Sequence, residues 1–491
     1  MSKNRFQQQQ KVRQQPAPTV ANPYSQLYGL RENPFPNLTL FRTDTNDPRQ
    51  NGEIYDEDFR RDEEKRFFNL FVQPSTGDLP LPIGFLRLAP QAGGRGNGKS
   101  AFLNHIMWRI NEQEWDNWPR DAEDPNLFAL AVHVLPAPRE HKSFFQLVRL
   151  IFKTMAQRRR RPDDVTLFQK VDADLRAAML YKLLESEPEQ MQKLADMSKE
   201  EMDDRLGDHD RFVSLLQDND LTWQQFSDTA MEAVVTESGG QFDNEFLDDL
   251  EASSWTLQKL WDDDDGYAYQ SDYLWQRRGT GWLIDGLMPV LMAAGYRHFY
   301  LLLDEFEKIY FYQTSKKRDE FLDSFRQYFY ERPSAAMQRN FISSLLTLHP
   351  SVDEYLAANW KRAGLEGIAP LATGPMGGNS IALDASVIPK LDHLVITYLD
   401  WYRTESDDKT HMGTLYPFAR DALHPAMRAA QLFPRGTLWY AHEILRKAAQ
   451  QKVSAPISRD YVERLVSDTP QPPEDDEDVF TPPQAGTDLR G

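Results

Sequence analysis

The chain contains no cysteine. That excludes disulfides, thiolate zinc sites and cysteine nucleophiles, and it suits a reducing compartment, so a cytoplasmic location is expected. Long hydrophobic runs are missing too. The longest candidate, 283–295, is interrupted by Asp285 and Pro289 and falls short of the about 20 apolar residues that a membrane helix needs. No membrane partner is expected, and the Gln-rich start of the chain does not read as a signal peptide. Positive charge is in short supply. With 56 basic against 75 acidic residues the net charge is −19, a balance unlike that of proteins that coat themselves in nucleic acid, although a local basic patch can still contact it.

What is present is a chain of 491 residues, 40% hydrophobic and 27% charged, enough for a sizeable core and about three domains. Its organising feature is Gly93-Gly94-Arg95-Gly96-Asn97-Gly98-Lys99-Ser100, which fits G-x-x-x-x-G-K-[ST], the Walker A or P-loop pattern. The context fits as well: 83–89 reads as a short buried strand, and Ala101 to Met107 reads as a helix. Glycines let the backbone turn tightly and aim N–H groups inward, and the positive end of the following helix adds to the field. Lys99 is placed to reach the β- and γ-phosphates of a triphosphate, and Ser100 to ligate Mg²⁺.

A second motif lies far downstream. The strand Phe299 to Leu303 ends in Asp304 and Glu305. Four or more apolar residues followed by an acid form a Walker B strand, with Asp304 holding Mg²⁺ and Glu305 positioned to activate the attacking water as a general base. Glu307 reads as a spare acid, with a salt bridge or surface charge as its role. No N-K-x-D guanine motif occurs, so ATP is expected rather than GTP.

Taken in order, residues 1–22 read as a disordered Gln-rich tail and 23–155 as the first half of an ATPase core. Residues 156–280 read as a helical insertion, 281–388 as the second half of the core, 389–468 as a helical lid and 469–491 as an acidic disordered tail. Within the first half, Leu127 to Leu135 reads as a second strand in which His133 is a core or sheet-edge histidine. Ser143 to Gln146 reads as a capping box. Arg158-Arg159-Arg160-Arg161 admits two readings, a contact to DNA phosphates or a solvated helix end. In the insertion, Trp255, Trp261 and Trp275 read as anchors of small cores. The fold class expected is α/β, a five-stranded parallel P-loop NTPase sheet with a large helical insertion and a C-terminal helical lid.

With these motifs the chain resembles the AAA+ superfamily, the additional-strand P-loop ATPases with a catalytic glutamate. It looks most like origin-recognition-type initiators and bacterial transposition-, secretion- or defence-associated ATPases. The resemblance covers about 55–155 and 281–388 and the helices that follow. It implies an added strand between the strands of the two motifs. It also implies that Thr347, ending the strand Phe341 to Leu348, is the polar sensor-1 residue, with His349 as the alternative. Arg435, in Leu432-Phe433-Pro434-Arg435, falls where sensor 2 stands, with a surface-paired helix-start arginine as its rival reading. Arg362 is the candidate for an arginine acting in trans, with a helix-end cation as the rival. The resemblance further implies a homo-oligomer or hetero-complex and a switch or motor role in a DNA-associated complex serving replication, transposition or anti-phage defence. A signalling NTPase that assembles on ATP without touching nucleic acid remains the alternative, and a chaperone-like loader a third. The chain departs from a minimal AAA+ core in the long insertion between the two motifs, and it shows no obvious pore signature of an unfoldase.

Overall fold

The computed structural model describes residues 22–37, 47–72, 80–88, 96–112, 128–136, 143–157, 165–262, 272–307, 313–332, 334, 340–349, 352–371, 377–404 and 410–469. The two terminal tails, Gly93, Gly94, Arg95 and the arginines 158–161 lie outside the described residues. The chain divides into two compact units, Phe41–Ala385 and a second made of Met1–Leu40 with Ser386–Gly491.

The first unit is α/β. Five short apolar segments form its strands: β1 Ile83–Leu88, β2 Ala129–Val134, β3 His298–Leu303, β4 Ile342–Thr347 and β5 Ser380–Leu383. They pair in the order β2-β3-β4-β1-β5, and every pairing is parallel. The strands are buried almost throughout, which is why they read as near-continuous apolar runs. β4 lies between β1, which leads into the phosphate loop, and β3, which ends in Asp304. The added strand expected from the resemblance therefore occupies that place.

Each face of the sheet has its own cover. On one, Phe102, Leu103, Ile106, Met107 and Ile110 of the Lys99–Glu112 helix pack on Leu86, Leu88, Ala131, Leu302 and Leu345, together with Phe67 and Phe71. On the other, Ile83, Phe85, Leu130, Val132, Phe299 and Leu301 meet the Phe144–Ala156 helix and Trp360. The Ser143 amide donates to Gln146 Oε1 at 3.0 Å, and the capping box is formed.

The insertion, residues 156–157, 165–262 and 272–280 among those described, contributes to this second core rather than forming small cores of its own. Phe152, on the helix that follows β2, touches Trp261 and Trp275 with ring centroids 6.4 Å and 5.1 Å away, and Trp275 meets Trp282 at 4.9 Å. Aromatic pairs at such spacings stabilise by about 0.5–1.5 kcal/mol beyond the area they bury. Trp255 does sit inside the insertion, donating to Ser227 Oγ at 2.9 Å.

The return from insertion to sheet passes through a wide π-helical turn, Trp282–Leu287, before Met288–Ala293 resumes as α-helix. Pro289 explains it. Proline has no N–H to give the carbonyl four residues back, and its ring clashes there. That carbonyl, of Asp285, instead accepts from the Asp243 amide at 2.9 Å.

The second unit is helical. Within it, residues 22–37, expected to lead the ATPase core, pack with C-terminal helices. The Tyr28 hydroxyl donates to the Val453 carbonyl at 2.9 Å, Asn33 Nδ2 donates to that of His442 at 3.1 Å, and Leu30 bridges to Arg403. These contacts span about four hundred residues of sequence, which a local pattern does not report.

One packing contact in the first unit is open to direct test. A Cβ at Gly84 on β1 would run into the Phe71 ring and stand 3.0 Å from the Asn379 carbonyl. Gly84→Val is expected to destabilise this unit by about 1–3 kcal/mol through overpacking, seen as a lower thermal midpoint. An unchanged midpoint would contradict this packing.

Candidate active site

The site is assembled at the carboxyl ends of β1, β3 and β4, where a parallel sheet presents its loops and the N-termini of its helices. From β1 the chain enters the phosphate loop. Gly96 and Gly98 have φ of 90° and 83°, a left-handed conformation that glycine adopts at no steric cost. Asn97 between them is 2% exposed. The Gly98 carbonyl accepts from the Phe102 amide at 2.9 Å, so the helix begins here. Lys99, Ser100 and Ala101 form its first turn, whose amides have no intrahelical partners and favour an anion. That turn carries no acidic residue to compete.

β3 delivers Asp304, which is 0% exposed. Its amide donates to the Val134 carbonyl at 2.9 Å, which ties it to the end of β2. Its Oδ1 accepts from the Thr347 hydroxyl at 2.9 Å and from the Glu305 amide at 2.9 Å. The Glu305 amide also reaches Thr347 Oγ1 at 2.6 Å. Thr347, the last residue of β4 and itself 0% exposed, thus fixes both acids from the neighbouring strand. Glu305 is held at φ 47°. A glutamate in the left-handed region costs of order 1–3 kcal/mol and persists only where its surroundings fix it, as they do at many functional sites.

Burial alone would raise the pKa of Asp304. The His133 imidazole, with Nε2 3.7 Å from Oδ2, and then the Ser100 hydroxyl and the Lys99 ammonium more than offset this and bring it down to about 2. A carboxyl whose pKa is lower folded than unfolded stabilises the fold above its unfolded value of about 3.9, and that stabilisation is lost as pH falls through about 2. At neutral pH the group is an anion.

Oδ2 of this anion is buried and makes no hydrogen bond among the described residues. An ionised, buried carboxylate oxygen left open beside a hydroxyl is a donor set that fits a hard divalent cation. Ser100 and Asp304 are the residues that would hold Mg²⁺, whose charge would offset that of a bound triphosphate.

One residue was misread from sequence, and one does more than its reading. His133 is a buried histidine on the edge strand β2, as expected, and it also sits beside Asp304; the clue to that was its place one residue from the end of β2, adjacent to β3. Glu307 is half-buried rather than a plain surface charge. Its Oε2 is buried, and burial pushes its carboxyl up to about 7, with Glu305 and Asp304 adding repulsion against the pull of Lys99. Lys99, Ser100, Asp304, Glu305, Glu307, Thr347 and His133 are therefore brought together. His349 lies just beyond β4 and is partly exposed.

Arg362 ends the Asp353–Arg362 helix with its side chain 60% exposed and pairs with Asp319 at 2.7 Å. Arg435 stands in the first turn of the Pro434–Gln450 helix, in the other unit. Pro434 opens that helix at the position where its missing N–H costs nothing.

No family model and no curated protein matches this sequence. Among solved structures, the chain is similar to the ORC2 protein of Aeropyrum pernix in its ADPNP–ADP complexes. The two are 11% identical with a TM-score of 0.40, over 90% of this chain and 72% of that one. No described helix is long and apolar enough to cross a membrane.

Thr347→Val removes the hydroxyl that Asp304 and the Glu305 amide share. It is expected to cost about 1–3 kcal/mol of stability, whereas Thr347→Ser, which keeps the hydroxyl, should lose less. Denaturant titration of the three chains decides it, and equal stability of Thr347→Val and native protein would contradict the bridging role.

Proposed function

We propose that this protein binds ATP with Mg²⁺ and hydrolyses it, as an AAA+-like switch or motor subunit of a DNA-associated complex. The observation that carries the reading is the Asp304–Thr347–Glu305 arrangement beside Lys99 and Ser100, on a sheet whose β4 is inserted between the strands of the two motifs. The phosphate-loop amides and Lys99 bind and orient the triphosphate. Glu305 accepts a proton from a water whose oxygen attacks the γ-phosphorus. The bond from that phosphorus to the β,γ-bridging oxygen breaks, and ADP and phosphate leave. A base of this kind contributes ~10²–10⁴ in rate.

Arg435 is assigned to sensing the γ-phosphate and Arg362 to completing a neighbour's site in an oligomer. An arginine supplied in trans is worth ~10³–10⁵ in turnover, so an isolated subunit is a slow enzyme. The association with DNA rests on the resemblance and on Arg158–Arg161, whose neighbouring charges would bind phosphates in a salt-dependent way.

The test pairs two variants with one cofactor assay. Lys99→Ala should lose ATP binding. Glu305→Gln should bind ATP like the native chain but turn over ~10²–10⁴ more slowly. Native turnover in Glu305→Gln would remove Glu305 as the base, and unchanged ATP affinity in Lys99→Ala would remove the phosphate loop. Stimulation of the native rate by duplex DNA, declining with salt, supports the DNA-associated role. ATP-driven assembly indifferent to DNA would favour the signalling alternative.

A further inference from the structure

Arg60 lies outside every motif, yet it is 3% exposed and sits behind the phosphate loop. Its Nη2 donates to the Asn97 carbonyl at 3.0 Å. Its Nη1 donates to the Asp384 carbonyl and to Glu63 Oε1, both at 2.9 Å. A buried guanidinium is costly unless its hydrogen bonds and charge are met. Here Glu63 meets the charge and two backbone carbonyls accept from the Nη groups, while the buried Nε makes no hydrogen bond among the described residues.

The helix that Arg60 precedes, Arg61–Phe67, grips the same region through two residues. Glu64 faces His105 Nε2 at 3.4 Å and Arg109 Nε at 3.3 Å on the Lys99–Glu112 helix. Arg66 donates to the Ser380 carbonyl at 2.6 Å and the Gly377 carbonyl at 3.1 Å, at the start of β5. Arg60 holds the loop itself, at the Asn97 carbonyl.

We propose that Arg60 is a positioning residue for the phosphate loop, which holds the Asn97–Gly98 peptide so that its N–H points to a bound phosphate. This rests on the ATP-binding reading above. A trans peptide is planar, so the carbonyl of Asn97 and the N–H of Gly98 point in opposite directions. Gly98 at positive φ on one side, and Gly96 at positive φ just before Asn97 on the other, let this peptide rotate unless something outside the loop pins it. Arg60 pins it by the carbonyl, from the side away from that N–H. The same guanidinium holds the Asp384 carbonyl beyond β5, so the loop is referenced to the sheet edge. Lysine cannot do this, because a single ammonium lacks the rigid fork that spans two acceptors.

The test uses the full chain. Arg60→Ala and Arg60→Lys are compared with the native protein for affinity toward ATP and toward adenosine, which has no phosphate, with thermal midpoints recorded for each. Arg60→Lys keeps a cation beside Glu63 and serves where Arg60→Ala fails to fold. ATP affinity is expected to fall about tenfold to a hundredfold, the loss of a charge-assisted hydrogen bond. Adenosine affinity should hold, and turnover of Arg60→Lys at saturating ATP should change by less than about threefold. ATP affinity at the native level in both variants overturns the proposal. So does a parallel loss for ATP and adenosine, which is the mark of a merely structural arginine. A native chain that binds no ATP overturns the parent reading directly, before any variant is compared.

Discussion

The hydroxyl of Thr347 joins two strands at the point where the site must hold a charge. Asp304 is wholly buried and ionised, and an isolated carboxylate in that position would neutralise itself rather than remain charged. Its charge survives because favourable groups converge from four directions: the hydroxyl from β4 and the amide of the next residue as hydrogen-bond donors, and the imidazole at the end of β2 and Ser100 with Lys99 from the helix after β1 through their electrostatics. All of these but the neighbouring amide need the sheet order β2-β3-β4-β1 to arrive. The fold and the charge therefore depend on each other, since moving β4 elsewhere would strip Asp304 and the Glu305 amide of Thr347 together.

A site of that kind demands a rigid support, and the insertion supplies part of it. The insertion does not hang from the sheet as a separate body. Phe152, Trp261, Trp275 and Trp282 run one hydrophobic core from the sheet's far face into the helices. A load or partner acting on the insertion would press on packing continuous with β2 and β3, whose ends carry His133 and Asp304. Interiors packed to crystal density transmit such displacements rather than absorb them.

The sheet was legible in the sequence because parallel strands buried on both faces read as apolar runs, and the motifs were legible because their chemistry needs fixed local spacing. The α/β class with five parallel strands follows from those signals and agrees with the structure. What escaped has a common cause, proximity created by the fold. His133 reaches Asp304 only because β2 and β3 are neighbours in register. Arg60 reaches Asn97 across 37 residues, and Tyr28 reaches Val453 across 425. Glu307 looked like a surface acid because its burial is set by tertiary packing, not by its neighbours in sequence. The insertion's tryptophans advertised cores but not that the core was shared.

In the proposed function the charge of Asp304 is kept for a cation that accompanies the nucleotide. Calorimetric titration of ATP into the native chain and Asp304→Asn, each in magnesium and in a chelator, tests that most directly. Magnesium should tighten ATP binding to the native chain and lose most of that effect in Asp304→Asn, where the amide keeps the shape but not the charge. Equal magnesium dependence in the two chains, or none in either, would contradict it.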